Sequence, residues 1–266
     1  MKKIIVANWK MNPDTPREAR ELFRRTKLVA NKLKKVSVIV CPPAVFLPLL
    51  KAGGNVALGG QDASLEPRGA YTGSISAPMI KYAGGEYVIL GHSERRSPSV
   101  GIGETDEIVN KKLRLALKTG LRVILCLGET VRDEHGHYLK ALRAMLEHSL
   151  EKLGRQDVPQ LIIAYEPVWA ITAKAGQVGI KTQADTPESF LEHSLFIKKI
   201  LANRFGQALA FTVPILYGGS VSPDNAAGFL TAGEADGLLV GHESLRADHL
   251  AEIMRLAEAS AQNGRK

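Results

Sequence analysis

Cysteine is almost missing from this chain: two residues in 266, Cys41 and Cys126. Each closes an apolar run, Val38-Ile39-Val40 and Val123-Ile124-Leu125, where buried free thiols usually sit. That pattern offers no disulfide framework, and a reducing cytoplasm is the expected compartment. No apolar stretch approaches the ~20 residues that span a bilayer. The run Ile4-Ile5-Val6-Ala7 follows two lysines but is too short for a signal-peptide core, and it reads as a strand. Aromatic residues are few and do not interleave with the basic groups Lys32, Lys34 and Lys35, Lys111, Lys112 and Arg114, or Lys198 and Lys199. The net charge of +8 is therefore read as solvated helix faces that help attract an anionic substrate. Neither nucleic acid nor a membrane is expected as a partner. No linker, repeat or low-complexity segment breaks the chain.

Short β-branched runs alternate with amphipathic stretches throughout. The strand candidates are 3–7, 36–40, 56–59, 87–90, 122–127, 161–165, 213–217 and 237–240. They are almost continuously apolar, as strands covered on both faces should be. Helical patterns fall at 16–34, 46–51, 78–83, 105–119, 138–153, 187–205, 223–230 and 245–259. Thr15-Pro16-Arg17-Glu18 is a capping box with proline at the first helical position, and Thr105, Thr186, Ser222 and Ser244 offer further N-caps. Eight strand–helix pairs in one such length predict an α/β fold, a single (β/α)8 barrel of residues 1–260 with a polar tail at 261–266. A doubly wound open sheet is the alternative. It lacks a glycine-rich fingerprint after its first strand, and Gly101-Ile102-Gly103 follows no strand.

A barrel of this kind places its chemistry just past the strand ends. Asn8-Trp9-Lys10 follows the first strand, with Asn8 and Lys10 on one face if the backbone is extended. Gly91-His92-Ser93-Glu94-Arg95-Arg96 follows the fourth, Glu166 the sixth, Gly218-Gly219-Ser220 the seventh and Gly241-His242-Glu243-Ser244 the eighth. Taken singly, each has a plainer explanation: a surface lysine, a structural histidine, a turn, an ion pair. Arg95 and Arg96 read as structural. Glu166 ends an apolar strand and precedes Pro167, so its carboxylate is presented where strand gives way to loop. Tyr165, Val168 and Trp169 can desolvate it, as a general base requires.

Five runs together resemble the triosephosphate isomerase family: Ala7-Asn8-Trp9-Lys10-Met11-Asn12, Gly69-Ala70-Tyr71-Thr72-Gly73, Leu90-Gly91-His92-Ser93-Glu94-Arg95-Arg96, Ala164-Tyr165-Glu166-Pro167-Val168-Trp169-Ala170 and Tyr217-Gly218-Gly219-Ser220-Val221. The runs around His92 and Glu166 are the most specific. The resemblance spans nearly the whole chain and implies a TIM barrel that interconverts dihydroxyacetone phosphate and D-glyceraldehyde 3-phosphate. It implies Glu166 as base, neutral His92 as electrophile, and Asn8 and Lys10 as stabilisers of the enediolate and binders of substrate. Glu94 would orient Lys10 and His92. The phosphate would rest on N–H groups at Ser220, Gly241, His242 and Thr172, with the short helix after Gly241 adding its dipole. A closing loop after Glu166 would exclude water and keep the enediolate from eliminating phosphate. No metal or organic cofactor is implied. The loop 61–76, with Thr72 reaching toward a partner's site, implies a homodimer.

The match frays in places. Family members usually continue past Trp-Ala as Ile-Gly-Thr-Gly-Lys-Thr-Ala, whereas here Ile171-Thr172-Ala173-Lys174 opens a segment about eight residues longer. Anchored on Ile171, Thr172 takes the place of the phosphate-binding glycine; anchored on Lys181-Thr182, Gly179 takes part of that role. Ser74 stands for a usual glutamate and His242 for a usual glycine, and Ser97–Gly101 lengthens the link after Arg96. His135 and His137 lack a third metal ligand and read as exposed loop; His148, His193 and His249 read as surface residues of helices. The competing readings are an isomerase of another phosphorylated sugar, and a non-catalytic binding protein on the same fold.

Overall fold

The computed structural model describes residues 2–99, 101–133, 135–170 and 185–263. Eight parallel strands close into one barrel in the order β1 to β8: β1 (Lys3–Asn8), β2 (Val36–Cys41), β3 (Val56–Gly60), β4 (Tyr87–Leu90), β5 (Arg122–Leu127), β6 (Leu161–Tyr165), β7 (Ile215–Tyr217) and β8 (Gly237–Val240). Closure is made by β1 against β8, with Ile4 opposite Gly237 and Ala7 opposite Val240. Gly237 is required there: a Cβ on it would stand 1.8 Å from the Ile4 carbonyl oxygen.

Because successive side chains alternate across a strand, each strand feeds two cores. Val6, Ile39, Ile89, Ile124, Ile162, Leu216 and Leu239 fill the barrel together with Cys41 and Cys126. Ile5, Ala7, Val38, Val40, Val88, Leu90, Val123 and Ile163 face outward and pack under the helices. This double burial explains why the strands read as unbroken apolar runs. Both cysteines are buried and free, and burial pushes both thiols up.

The helices are α1 (Pro16–Ala30), α2 (Ala77–Tyr82), α3 (Ser93–Arg96), α4 (Asp106–Lys118), α5 (His137–Ser149), α6 (Pro187–Phe205), α7 (Gln207–Ala210), α8 (Pro223–Leu230) and α9 (Ala247–Asn263). The capping box of α1 forms in both directions, Glu18 N–H to Thr15 Oγ1 and Thr15 N–H to Glu18 Oε2, each at 3.2 Å. Thr105, Thr186 and Ser222 cap α4, α6 and α8.

Several boundaries differ from the sequence reading, each for a local reason. The first helix stops at Ala30 rather than 34, because Asn55 Nδ2 takes the Ala30 carbonyl at 3.0 Å and also that of Leu33. The helix expected over 46–51 is a single 3-10 turn, Leu47–Leu49, in which Pro48 brings no N–H. The fifth helix ends at Ser149, where Asn110 Nδ2 binds the carbonyls of Ser149 and Glu151. β7 begins at Ile215 because Pro214 cannot donate to the ladder. Ser244 is not an N-cap: it is buried in the 3-10 turn His242–Leu245 and donates to the Asn8 carbonyl at 3.3 Å. Helix α9 starts after it and continues to Asn263, into the stretch read as tail.

Candidate active site

Asn8 ends β1, buried, and its Oδ1 accepts the Lys10 N–H at 3.1 Å. Lys10 is not extended, as the face-sharing argument assumed. Its φ is +52°, a left-handed backbone that costs a non-glycine residue roughly 1–2 kcal/mol. The cost is borne because two side chains hold the turn: Asn8 from one side, and Gln61 Nε2 on the Lys10 carbonyl at 2.8 Å. The effect is to turn the Lys10 ammonium over the barrel mouth, where its Nζ meets Glu94 Oε1 at 2.5 Å. The same side chain passes beside Gly241, whose hypothetical Cβ lies 3.3 Å from Lys10 Cε.

His92 follows Gly91, whose φ of +71° turns the chain out of β4. A methyl there would strike the Arg96 guanidinium at 2.9 Å, which itself holds the Gly91 carbonyl at 2.8 Å. The imidazole is then fixed by a backbone donor: Glu94 N–H to His92 Nδ1, 3.2 Å. An N–H pointing at Nδ1 requires a lone pair there. The ring is therefore assigned, from this bond, as the tautomer with its proton on Nε2. Nε2 stands 3.5 Å from Glu166 Oε1.

Glu166 is only 2% exposed. Its N–H extends the ladder to Leu127 O at 2.7 Å, and its Oε2 accepts the Ser93 N–H at 3.1 Å. Its Oε1 has no hydrogen-bond partner among the described residues. Space for it comes from two glycines. A Cβ on Gly218 would approach Glu166 Cγ to 2.8 Å, and one on Gly128 would overlap the Glu166 carbonyl oxygen at 1.7 Å.

Ser220, Gly241, His242 and Glu94 follow strand ends at the same mouth. Ser220 follows β7 and donates to the Ala170 carbonyl at 3.2 Å. Gly241 follows β8 and His242, exposed, opens the 3-10 turn. That turn is one turn long, so its contribution is individual N–H groups rather than a macrodipole. Glu94 touches both Lys10 and the backbone link to His92. Thr72 lies apart, exposed on the loop after β3. Thr172, Gly179 and the long segment 171–184 lie outside the described residues. Arg95 and Arg96 are structural, as read: Arg95 pairs with Asp62 and Glu104, and Arg96 with Asp106 at 2.6 Å.

Two residues with a part in the site escaped the sequence reading. Glu129 frames the loop that carries Glu166: its Oε1 accepts Tyr165 Oη at 2.8 Å and Trp169 Nε1 at 2.7 Å, and its carbonyl accepts the Val168 N–H at 3.0 Å. The available signal was its position, a carboxylate two residues past β5. His193 is not a surface residue. It is buried, its ring stacked on Tyr165 with centroids 4.9 Å apart and its Nδ1 against the Ser189 carbonyl at 2.6 Å. His249 is half-buried against the Glu243 carboxylate, while His148 is exposed as read.

A buried carboxylate facing a neutral imidazole, with an ammonium alongside, is equipped to move a proton next to a carbonyl. On a closed (β/α)8 barrel, and with the family match and relatives given next, it defines an intramolecular aldose–ketose isomerase. The family model of triosephosphate isomerase matches residues 3–257. A triosephosphate isomerase of Citrifermentans bemidjiense is 40% identical over 261 residues, 97% of this chain and 99% of that protein. One of Moorella thermoacetica is 40% identical over 94% of this chain and 97% of that protein. One of Clostridium botulinum is 39% identical, covering 94% and 98%. The chain belongs to the triosephosphate isomerase family.

Proposed function

We propose that this chain interconverts dihydroxyacetone phosphate and D-glyceraldehyde 3-phosphate through an enediolate. The observation that carries the reading is the apposition of Glu166 Oε1 and His92 Nε2 at 3.5 Å, with His92 Nδ1 already occupied as an acceptor. Glu166 takes the proton from the carbon beside the carbonyl, and the bonding pair moves into the carbonyl system. His92 Nε2–H donates to the oxygen that gains charge. The Lys10 ammonium adds positive charge on the same side, and Asn8 holds Lys10 there. Such preorganised donors matter most where charge develops. Glu166 then returns the proton to the neighbouring carbon while His92 moves a proton between the two oxygens. Glu94 orients Lys10 and His92, and N–H groups at Ser220, Gly241 and His242 receive the phosphate.

We read the chain as a single domain that works as a homodimer in the cytoplasm. Among the described residues no helix is long and apolar enough to cross a membrane. Support for the dimer is an exposed apolar surface on neighbouring loops: Val45, Leu65, Tyr71, Ile75 and Ile102, several of which rim a cavity of ≈ 430 Å³. Exposed apolar side chains gathered around one cavity, as Leu65, Tyr71, Ile75 and Ile102 are, suit an association surface.

The test is triose isomerisation by the purified chain, coupled to a dehydrogenase, beside Glu166→Gln. Activity that drops by about 10³-fold or more in the variant, with the fold unchanged, supports the base assignment. A folded, intact chain without activity on trioses overturns it and directs the search to other phosphorylated sugars.

A further inference from the structure

The loop between β5 and α5 sends one side chain, Arg132, across to both flanks of segment 171–184. Its guanidinium carbon lies 5.4 Å from the ring centroid of Trp169, on the near flank, and 5.4 Å from that of Tyr138. Its Nη1 donates to Ser189 Oγ at 2.9 Å and stands 4.0 Å from Asp185 Oδ1, both on the far flank. Asp185 is an odd residue to find there. Its carboxylate is fully buried, neither oxygen has a hydrogen bond of ordinary geometry among the described residues, and burial pushes its pKa up while the Ser189 hydroxyl, the Thr186 N–H, His193 and Arg132 pull it down. Among the described residues Arg132 is the cation that forms an ion pair with it.

We infer that Arg132 is a positioning residue for Trp169 and, through Trp169, for the loop that presents Glu166. The inference rests on the proposed isomerase reading. Among the described residues Trp169 has two holds, an edge on Glu129 at 2.7 Å and a face under Arg132, and both come from the loop after β5. Only Pro167 and Val168 separate Trp169 from Glu166. The proline ring fixes φ, so a displacement of Trp169 is passed toward Glu166 rather than absorbed at that bond. Cation–π contact gives the guanidinium a grip on the indole that a point charge lacks. An Arg132 that merely neutralised Asp185 would act on the far flank alone.

The experiment compares the full chain with Arg132→Ala, Arg132→Lys and the double variant Arg132→Ala/Asp185→Ala. Two readouts are taken: kcat and KM for isomerisation, and acrylamide quenching of tryptophan fluorescence. Trp9 is 0% exposed, so quenching reports on Trp169. Arg132→Ala is expected to lower kcat about tenfold, to leave KM within about threefold and to raise quenching about twofold. Arg132→Lys keeps a charge near Asp185 but not the planar contact, and the double variant removes the buried carboxylate together with the arginine. Both are expected to keep most of the kcat defect and the raised quenching. Wild-type kcat and quenching in Arg132→Ala overturn the inference. So does their recovery in the double variant, which assigns Arg132 to charge neutralisation alone. Raised quenching with unchanged kcat overturns it too. If the unaltered chain proves inactive on trioses, the isomerase reading fails, and unchanged quenching in Arg132→Ala then separately refutes the hold on Trp169.

Discussion

A methyl group on Gly218 has no free volume to enter. It would reach Glu166 Cγ at 2.8 Å, while the Ser93 N–H holds Oε2. Gly218→Ala is therefore expected to displace the carboxylate while leaving the strands intact. Kinetics should show kcat down by about 10²-fold, with a melting temperature within a few degrees of the parent. An unchanged kcat would mean that Glu166 tolerates displacement. At this scale the sequence was informative where a residue's role follows from its place. Glu166, His92, Lys10 and Asn8 stand just past strand ends, and the barrel brings them to one mouth. It was silent where the role is set by partners distant in the chain. Nothing local marks Arg132 as a neighbour of Trp169 and Ser189, or His193 as a ring stacked on Tyr165. The left-handed turn at Lys10 was equally invisible, since it depends on Gln61 from another strand end.

Helices α3 and α4 are pinned to the end of β3 by a buried ionic cluster. Lys112 of α4, 3% exposed, meets Asp62 through both oxygens at 2.8 Å and Glu104 at 2.6 Å, and Arg95 of α3 joins the same two carboxylates. Burial pushes the Asp62 carboxyl up, while Lys112 and Arg95 pull it down. Removing one member leaves charge uncompensated in the interior. Lys112→Met should lose about 3 kcal/mol in urea unfolding, with kcat of the folded protein within a few-fold of the parent. A loss under about 1 kcal/mol would mean that Arg95 alone balances the carboxylates. The elements themselves were mostly legible, because strands buried on two faces and capped helices leave strong local patterns. Their ends were not. Asn55, Asn110 and Pro214 set boundaries by taking a carbonyl or withholding an N–H, and two of these act from other elements. Helix α5 likewise begins on Asp133, whose oxygens accept the N–H groups of His135, His137 and Tyr138.

For the whole molecule, the count of eight strand–helix pairs was enough to foresee a closed barrel, and closure depends on contacts as tight as Gly237 against Ile4. Association is expected from the sequence only through family resemblance, since exposed apolar side chains on separate loops become a patch only after folding. Ile75→Asp puts a charge into that patch and should shift the protein from dimer to monomer in sedimentation; a parent that sediments as a monomer contradicts the dimer. The central claim is that one carboxylate, Glu166, carries a proton between adjacent carbons of a triose phosphate. It is tested most directly by converting D-glyceraldehyde 3-phosphate in D2O and following the product by proton NMR. An acid at Glu166 that exchanges with solvent predicts deuterium at C1 of dihydroxyacetone phosphate, and loss of conversion in Glu166→Gln. Conversion that survives Glu166→Gln at the parent's rate, with the same product labelling, would contradict it.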